Sequence, residues 1–139
     1  MSNNFQNFFN PKSIAIIGAS ADKNKVGYAL VDNVLKGAKR DIYPVSISEK
    51  EILELKAYPS IKDIAADIDL ALIAVRADIV PTILEECAGK KVKNVIIISA
   101  GFKEEGAAGA ELEKEVADIA TKNGIALLGP NCLGNRCGK

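Results

Sequence analysis

The residues best placed to do chemistry lie in one segment, Gly18-Ala19-Ser20-Ala21-Asp22-Lys23-Asn24-Lys25-Val26-Gly27. It follows a β-branched apolar run and opens a helical apolar stripe. Its backbone N–H groups therefore stand where a strand gives way to a helix N-terminus, a setting that holds phosphate or another anion. Ala19 and Ser20 are small enough to let a ligand approach the backbone, Lys23 and Lys25 add positive charge, and two further cations, Lys50 and Arg76, follow later apolar runs. The spacing is not that of a dinucleotide fingerprint. With Gly18 as its first glycine, GxGxxG requires glycine at 20 and 23, where Ser20 and Lys23 stand. The acid that would bind a nicotinamide cofactor's ribose is also missing, because the second apolar run ends in Ser46-Ile47-Ser48. An NAD(P)-binding redox domain is thus the weaker reading of this loop. The bland reading is that Gly18 and Gly27 only permit close packing of strand and helix, and that the lysines are solvated surface charges.

Ser99-Ala100-Gly101 closes a fourth apolar run with small groups, which suits a flat or extended ligand. Gly129-Pro130-Asn131-Cys132 closes a fifth and offers an amide and a thiol. The 139 residues contain no histidine, which excludes imidazole as base, nucleophile, phosphate carrier or ligand within this chain. Without it Cys132 has no base to activate it, and a small buried thiol is the simpler reading. Cys132 and Cys137 leave zinc short of four ligands, so no metal and no catalytic residue is expected. Three cysteines, an odd count, and a start lacking a signal-peptide layout point to a reducing cytoplasm. Eighteen basic and eighteen acidic residues cancel, so no field exists to collect nucleic acid or anionic membrane. No apolar run approaches the roughly 20 residues that span a bilayer.

The elements that must position these loops alternate. Strands are predicted over 13–18, 41–47, 69–75, 94–99 and 125–128, with a minor extended piece over 55–58. Helices are predicted over 26–36, stopped by Gly37, over 78–89 and over 110–122. Ser60 reads as the N-cap of a short helix carrying Ile61, Ile64 and Ala65. Hydrophobic residues at 48% and charged residues at 26% fit one globular domain over 1–139, with 135–139 a tail. Strands separated by helices cannot form hairpins, and right-handed crossovers place them in one parallel sheet. The expected fold is a Rossmann-like, doubly wound α/β domain of about five main strands with helices on both faces. Ligands in that architecture sit beyond the carboxyl ends of the strands.

Taken in order, Phe8-Phe9-Asn10-Pro11-Lys12-Ser13, Ile16-Ile17-Gly18-Ala19-Ser20, Val26-Gly27-Tyr28-Ala29, Ile42-Tyr43-Pro44-Val45, Leu55-Lys56-Ala57-Tyr58-Pro59-Ser60, Ile98-Ser99-Ala100-Gly101-Phe102 and Gly129-Pro130-Asn131-Cys132-Leu133-Gly134 resemble the CoA-binding domain of NDP-forming acyl-CoA synthetases. These are the ADP-forming acetyl-CoA synthetases and their relatives among succinyl-CoA ligase α subunits. The resemblance runs from about Phe8 to Gly134. It implies that coenzyme A, or an acyl-CoA, lies across the sheet's carboxyl edge. Its phosphates would meet Gly18, Ala19, Ser20, Lys25, Val26 and Gly27. Ser46, Ser48, Lys50, Val75, Arg76, Ile98, Ser99 and Ala100 would complete the nucleotide site, and the pantetheine would run toward Asn131 and Cys132. In such enzymes the acyl group passes through an acyl phosphate and a phosphohistidine, with an ATP-grasp region handling the nucleotide. That histidine belongs to another domain, so the resemblance implies a CoA-holding part of an acid-thiol ligase that is not catalytically complete alone.

The sequence departs from the family pattern at three places. Ser46-Ile47-Ser48 stands where Asn-Pro-Lys is common, which removes the usual phosphate-side lysine and leaves Lys50 or Arg76 as its replacement. Arg76 stands where proline or a small residue is usual, and Asn135-Arg136-Cys137-Gly138-Lys139 does not continue the family's apolar run. A stand-alone CoA- or nucleotide-binding regulatory module remains the alternative from another functional class.

Overall fold

The computed structural model describes residues 11–37, 40–98 and 107–128. Its elements are β1 (Ser13–Ile17), α1 (Val26–Lys36), β2 (Asp41–Val45), β3 (Glu51–Ile52), β4 (Leu55–Lys56), β5 (Leu70–Ile73), α2 (Val80–Gly89), β6 (Asn94–Ile97), α3 (Ala107–Lys122) and β7 (Ala126–Leu128). Short 3₁₀ turns occupy Ile61–Asp63 and Ala77–Ile79.

Five strands form one parallel sheet in the order β2-β1-β5-β6-β7. β1 and β5 are buried along their whole length. Their side chains alternate between two cores, as the period of a strand requires. Ala15, Ile17, Ala71, Ile73, Val95 and Ile97 face α2 and α3, where they meet Val80, Leu84, Cys87, Val116 and Ala120. Ile14, Ile16, Leu70 and Leu72 face the other way, against Val31 of α1 and Ile52 and Ala57 of the β3–β4 region. Helices thus cover both faces, and the doubly wound α/β reading holds. The strand order reverses between β1 and β5, which makes their carboxyl ends the topological switch point where such sheets bind ligands.

Several boundaries differ from the sequence reading, each for a local reason. β2 stops at Val45, two residues early, because the Ser46 hydroxyl turns back to accept the N–H groups of Ser48 and Glu49 at 3.3 and 3.1 Å. β5 is shorter than 69–75, because the Asp69 N–H bonds back to Ser13 and the chain beyond Ala74 bends into the Ala77–Ile79 turn. The segment after Ser60 makes one 3₁₀ turn, since Ile64 is already extended. α2 starts at Val80 with Pro81 in its first turn, where a missing N–H costs nothing. α3 begins at Ala107, and β7 at Ala126.

The antiparallel pair β3–β4 appears where one extended piece was expected. Its two-residue connection puts Leu53 and Glu54 in the left-handed region at φ 50° and 69°. Neither is Gly or Asn, so the usual sequence signal for such a turn is absent. The pair leads Tyr58 alongside β2, where its N–H donates to the Pro44 carbonyl at 2.9 Å and its carbonyl accepts the Ser46 N–H at 2.8 Å. Pro59 and Ser60 are thereby delivered beside the end of β2.

Candidate functional site

At the switch point β1 ends by folding over its neighbours. The N–H groups of Gly18 and Ala19 both donate to the Val45 carbonyl at 3.1 Å. Gly18 has φ +93°, and a Cβ there would lie 2.5 Å from the Ala74 carbonyl oxygen, so only glycine fits. The following loop is wound by its own side chains. The Ser20 hydroxyl accepts from the Asp22 N–H and the Asp22 carboxylate accepts from the Asn24 N–H, both at 2.9 Å. The Lys25 N–H then donates to the Asp22 carbonyl at 3.0 Å, which sets Lys25 as the N-cap of α1.

That helix terminus is open. No side chain caps it, and no acidic residue stands in its first turn. The N–H groups of Val26 and Gly27, in the first turn, have no intrahelical carbonyl to bond, and the helix dipole adds positive potential at the same place. Gly27 brings the terminus down onto the strand, since a Cβ there would lie 2.0 Å from the Gly18 carbonyl oxygen. An anion over the switch point can therefore take hydrogen bonds from donors that the fold leaves uncommitted.

A cleft of about 680 Å³ opens at this edge. Of the residues expected at a site, Gly18, Ala19, Ser20, Lys25, Ser46, Ser48, Val75 and Arg76 line it. Gly27 instead lies buried beneath Gly18, and Val26 points to solvent beside it. Lys50 does not reach the cleft; it stands before β3, where its carbonyl accepts the Ala57 N–H at 2.9 Å. Ile98 is half-buried against the core on the α1 side. Ser99, Ala100, Asn131 and Cys132 lie outside the described residues. Arg76 stays at the rim, paired with Asp78 at 3.2 Å while its side chain remains 77% exposed, so it leaves the groove open.

The sequence reading missed a second wall, made by Pro59, Ser60, Ile79, Ile83 and Glu86. Its signal was present in part, because positions 79, 83 and 86 share one helical face. Ser60 caps the 3₁₀ turn by accepting the Lys62 N–H at 3.2 Å and donates its own proton to the Glu86 carboxylate at 3.1 Å. The neighbouring Cys87 is fully buried, and burial, aided by the Glu86 charge, pushes its thiol up to about 12. It belongs to the core and is not a nucleophile. No cluster able to hold a metal ion occurs among the described residues, and no helix among them is long and apolar enough to cross a membrane.

Residues 12–137 match the family described as CoA binding domain. The chain belongs to that family. Over 130 residues, 93% of this chain, it is 49% identical to an ADP-forming acetate–CoA ligase (II) of Archaeoglobus fulgidus, of which it covers 19%. It is 46% identical over 127 residues to the α subunit of the ADP-forming acetate–CoA ligase II of Pyrococcus furiosus, covering 91% of this chain and 28% of that subunit. The dinucleotide-forming acetyl-coenzyme A synthetase 1 of Candidatus Korarchaeum cryptofilum superposes with a TM-score of 0.86 at 38% identity, over 91% of this chain and 28% of that one. This CoA-binding domain thus corresponds to a fifth to under a third of the length of those relatives. The resemblance read from the ordered motifs is confirmed, together with the Rossmann-like fold.

Proposed function

We propose that the cleft at the carboxyl edge holds coenzyme A or an acyl-CoA, with the diphosphate on the uncapped N-terminus of α1. The observation that carries this is the open helix end set over the switch point, flanked by Ser20 and Lys25 and lacking any carboxylate in its first turn. Ser46 and Ser48 bring hydroxyl groups, which can donate to a phosphate, to the place where an NAD-binding domain carries an acid. With Lys50 outside the cleft, Lys25 and Arg76 are the cations left to balance the ligand's phosphates. The pantetheine runs toward Asn131 and Cys132. The whole chain, 1–139, acts as one CoA-holding domain of an acid-thiol ligase. ATP-grasp and further ligase parts, on the same polypeptide or a partner subunit, supply the acyl phosphate and the histidine that this sequence lacks. Relatives named as acetate–CoA ligases and as a separate α subunit support that division of labour.

The test is isothermal titration of the purified chain with CoA, NAD and ADP in parallel, repeated with Ser20→Asp. CoA should bind most tightly, and the new carboxylate at the helix terminus should weaken it by roughly tenfold. Absence of CoA binding at millimolar ligand, or tighter binding of NAD, would overturn the proposal.

A further inference from the structure

The cleft is not uniform in charge. Its α1 end has Lys25 at an uncapped helix start, whereas beyond Arg76 at the rim its α2 wall has apolar side chains and one carboxylate, Glu86. Glu86 has no salt-bridge partner among the described residues. Ser60 holds it by a 3.1 Å hydrogen bond to Oε1, which fixes the carboxylate and leaves Oε2 to accept another donor. A phosphate cannot settle beside an unneutralised carboxylate, so this end of the cleft must take a part of the ligand that is neutral and donates a hydrogen bond.

From this, and resting on the CoA reading above, we infer that Glu86 selects the adenine ring of the ligand by accepting a hydrogen bond from its 6-amino group. Ile79, Ile83 and Pro59 supply the apolar walls that a flat base requires. The ribose does not suit the position, because the 2′-hydroxyl of CoA stands beside a 3′-phosphate that Glu86 would repel. The base is the rigid, planar part of CoA, and its exocyclic amine is its donor. Ser60 is then a positioning residue that sets the carboxylate's direction, while Glu86 touches the ligand.

The experiment is a two-by-two titration of the full chain. CoA and its analogue with hydrogen in place of the 6-amino group are measured against the wild type and Glu86→Ala, with thermal unfolding confirming that each variant folds. The wild type should prefer CoA by about tenfold or more, the scale of a hydrogen bond to a charged group. Glu86→Ala should weaken CoA by a similar factor and leave the analogue unchanged, so that the preference disappears. Glu86→Gln, which keeps an acceptor oxygen, should restore part of it. Equal weakening of both ligands would mean that Glu86 only shapes the cleft and would overturn the inference, as would a wild type indifferent to the amine. Failure of CoA to bind the wild type would overturn the CoA reading itself and this inference with it, whereas CoA binding without discrimination leaves that reading intact.

Discussion

The two edges of the parallel sheet carry similar groups and use them in opposite ways. At the amino edge Asp67, Asp69, Lys90, Lys91, Lys93 and Asn94 surround a hollow of about 340 Å³. Many of the polar groups there are committed to one another. The Lys12 N–H donates to the Asp69 carboxylate at 2.9 Å, the Ser13 hydroxyl donates to the Asp67 carbonyl at 2.8 Å, and the Lys90 ammonium donates to the Ile64 carbonyl. Asn94 donates to the Asp69 carbonyl at 3.3 Å, and its own Oδ1 is left buried without a partner. At the carboxyl edge the cations are fewer, but Lys25, at the uncapped start of α1, lines an open cleft. A charge count alone would have chosen the amino edge over the cleft proposed for CoA. A polyanion site in this fold is marked by hydrogen-bonding capacity that the fold leaves over and by the helix ends that point at it.

The sharpest way to break this comparison is at the contact that aims α1. Gly27→Ala forces a methyl group into the Gly18 carbonyl, so the terminus must move off the strand. The expected result is loss of detectable CoA binding and about 2–3 kcal/mol of stability, read by titration and denaturant unfolding. Retained affinity in that variant would show that the helix end does not carry the ligand. Next comes the amino edge. Ser13→Ala removes the hydroxyl that donates to the Asp67 carbonyl and accepts the Asp69 N–H at 2.9 Å. It should cost about 1 kcal/mol of stability and leave CoA affinity unchanged; a drop in affinity would join the two edges functionally. The smallest effect belongs to the exposed rim. Lys25→Gln should weaken CoA by about threefold, and the difference should fade as salt is raised.

Much of this was legible before any coordinates. The short apolar runs at 14–17, 70–73 and 94–97 read as buried strands, and the helical stripes between them implied parallel pairing. The ordered motifs from Phe8 to Gly134 carried the family. The second wall of the cleft was not legible, because it depends on Tyr58 pairing with β2 and on a hairpin whose turn uses Leu53 and Glu54 instead of glycine. Lys50 was a reasonable substitute for the absent lysine by position, but it stands ahead of β3 with its carbonyl held by Ala57 and not in the cleft. Ser60 was readable as a cap, and its bond to Glu86, 26 residues away, was not.

The sequence by itself determined the alternation of elements, the absence of imidazole chemistry, and a loop whose glycines and lysines suit phosphate. Those properties are local, set by residue type, period and the φ range that glycine alone reaches at Gly18. Only the tertiary structure decided which cations line the cleft and that a carboxylate stands at its far end. Such contacts join residues distant in sequence, and their geometry follows from packing and strand pairing, which no local pattern encodes.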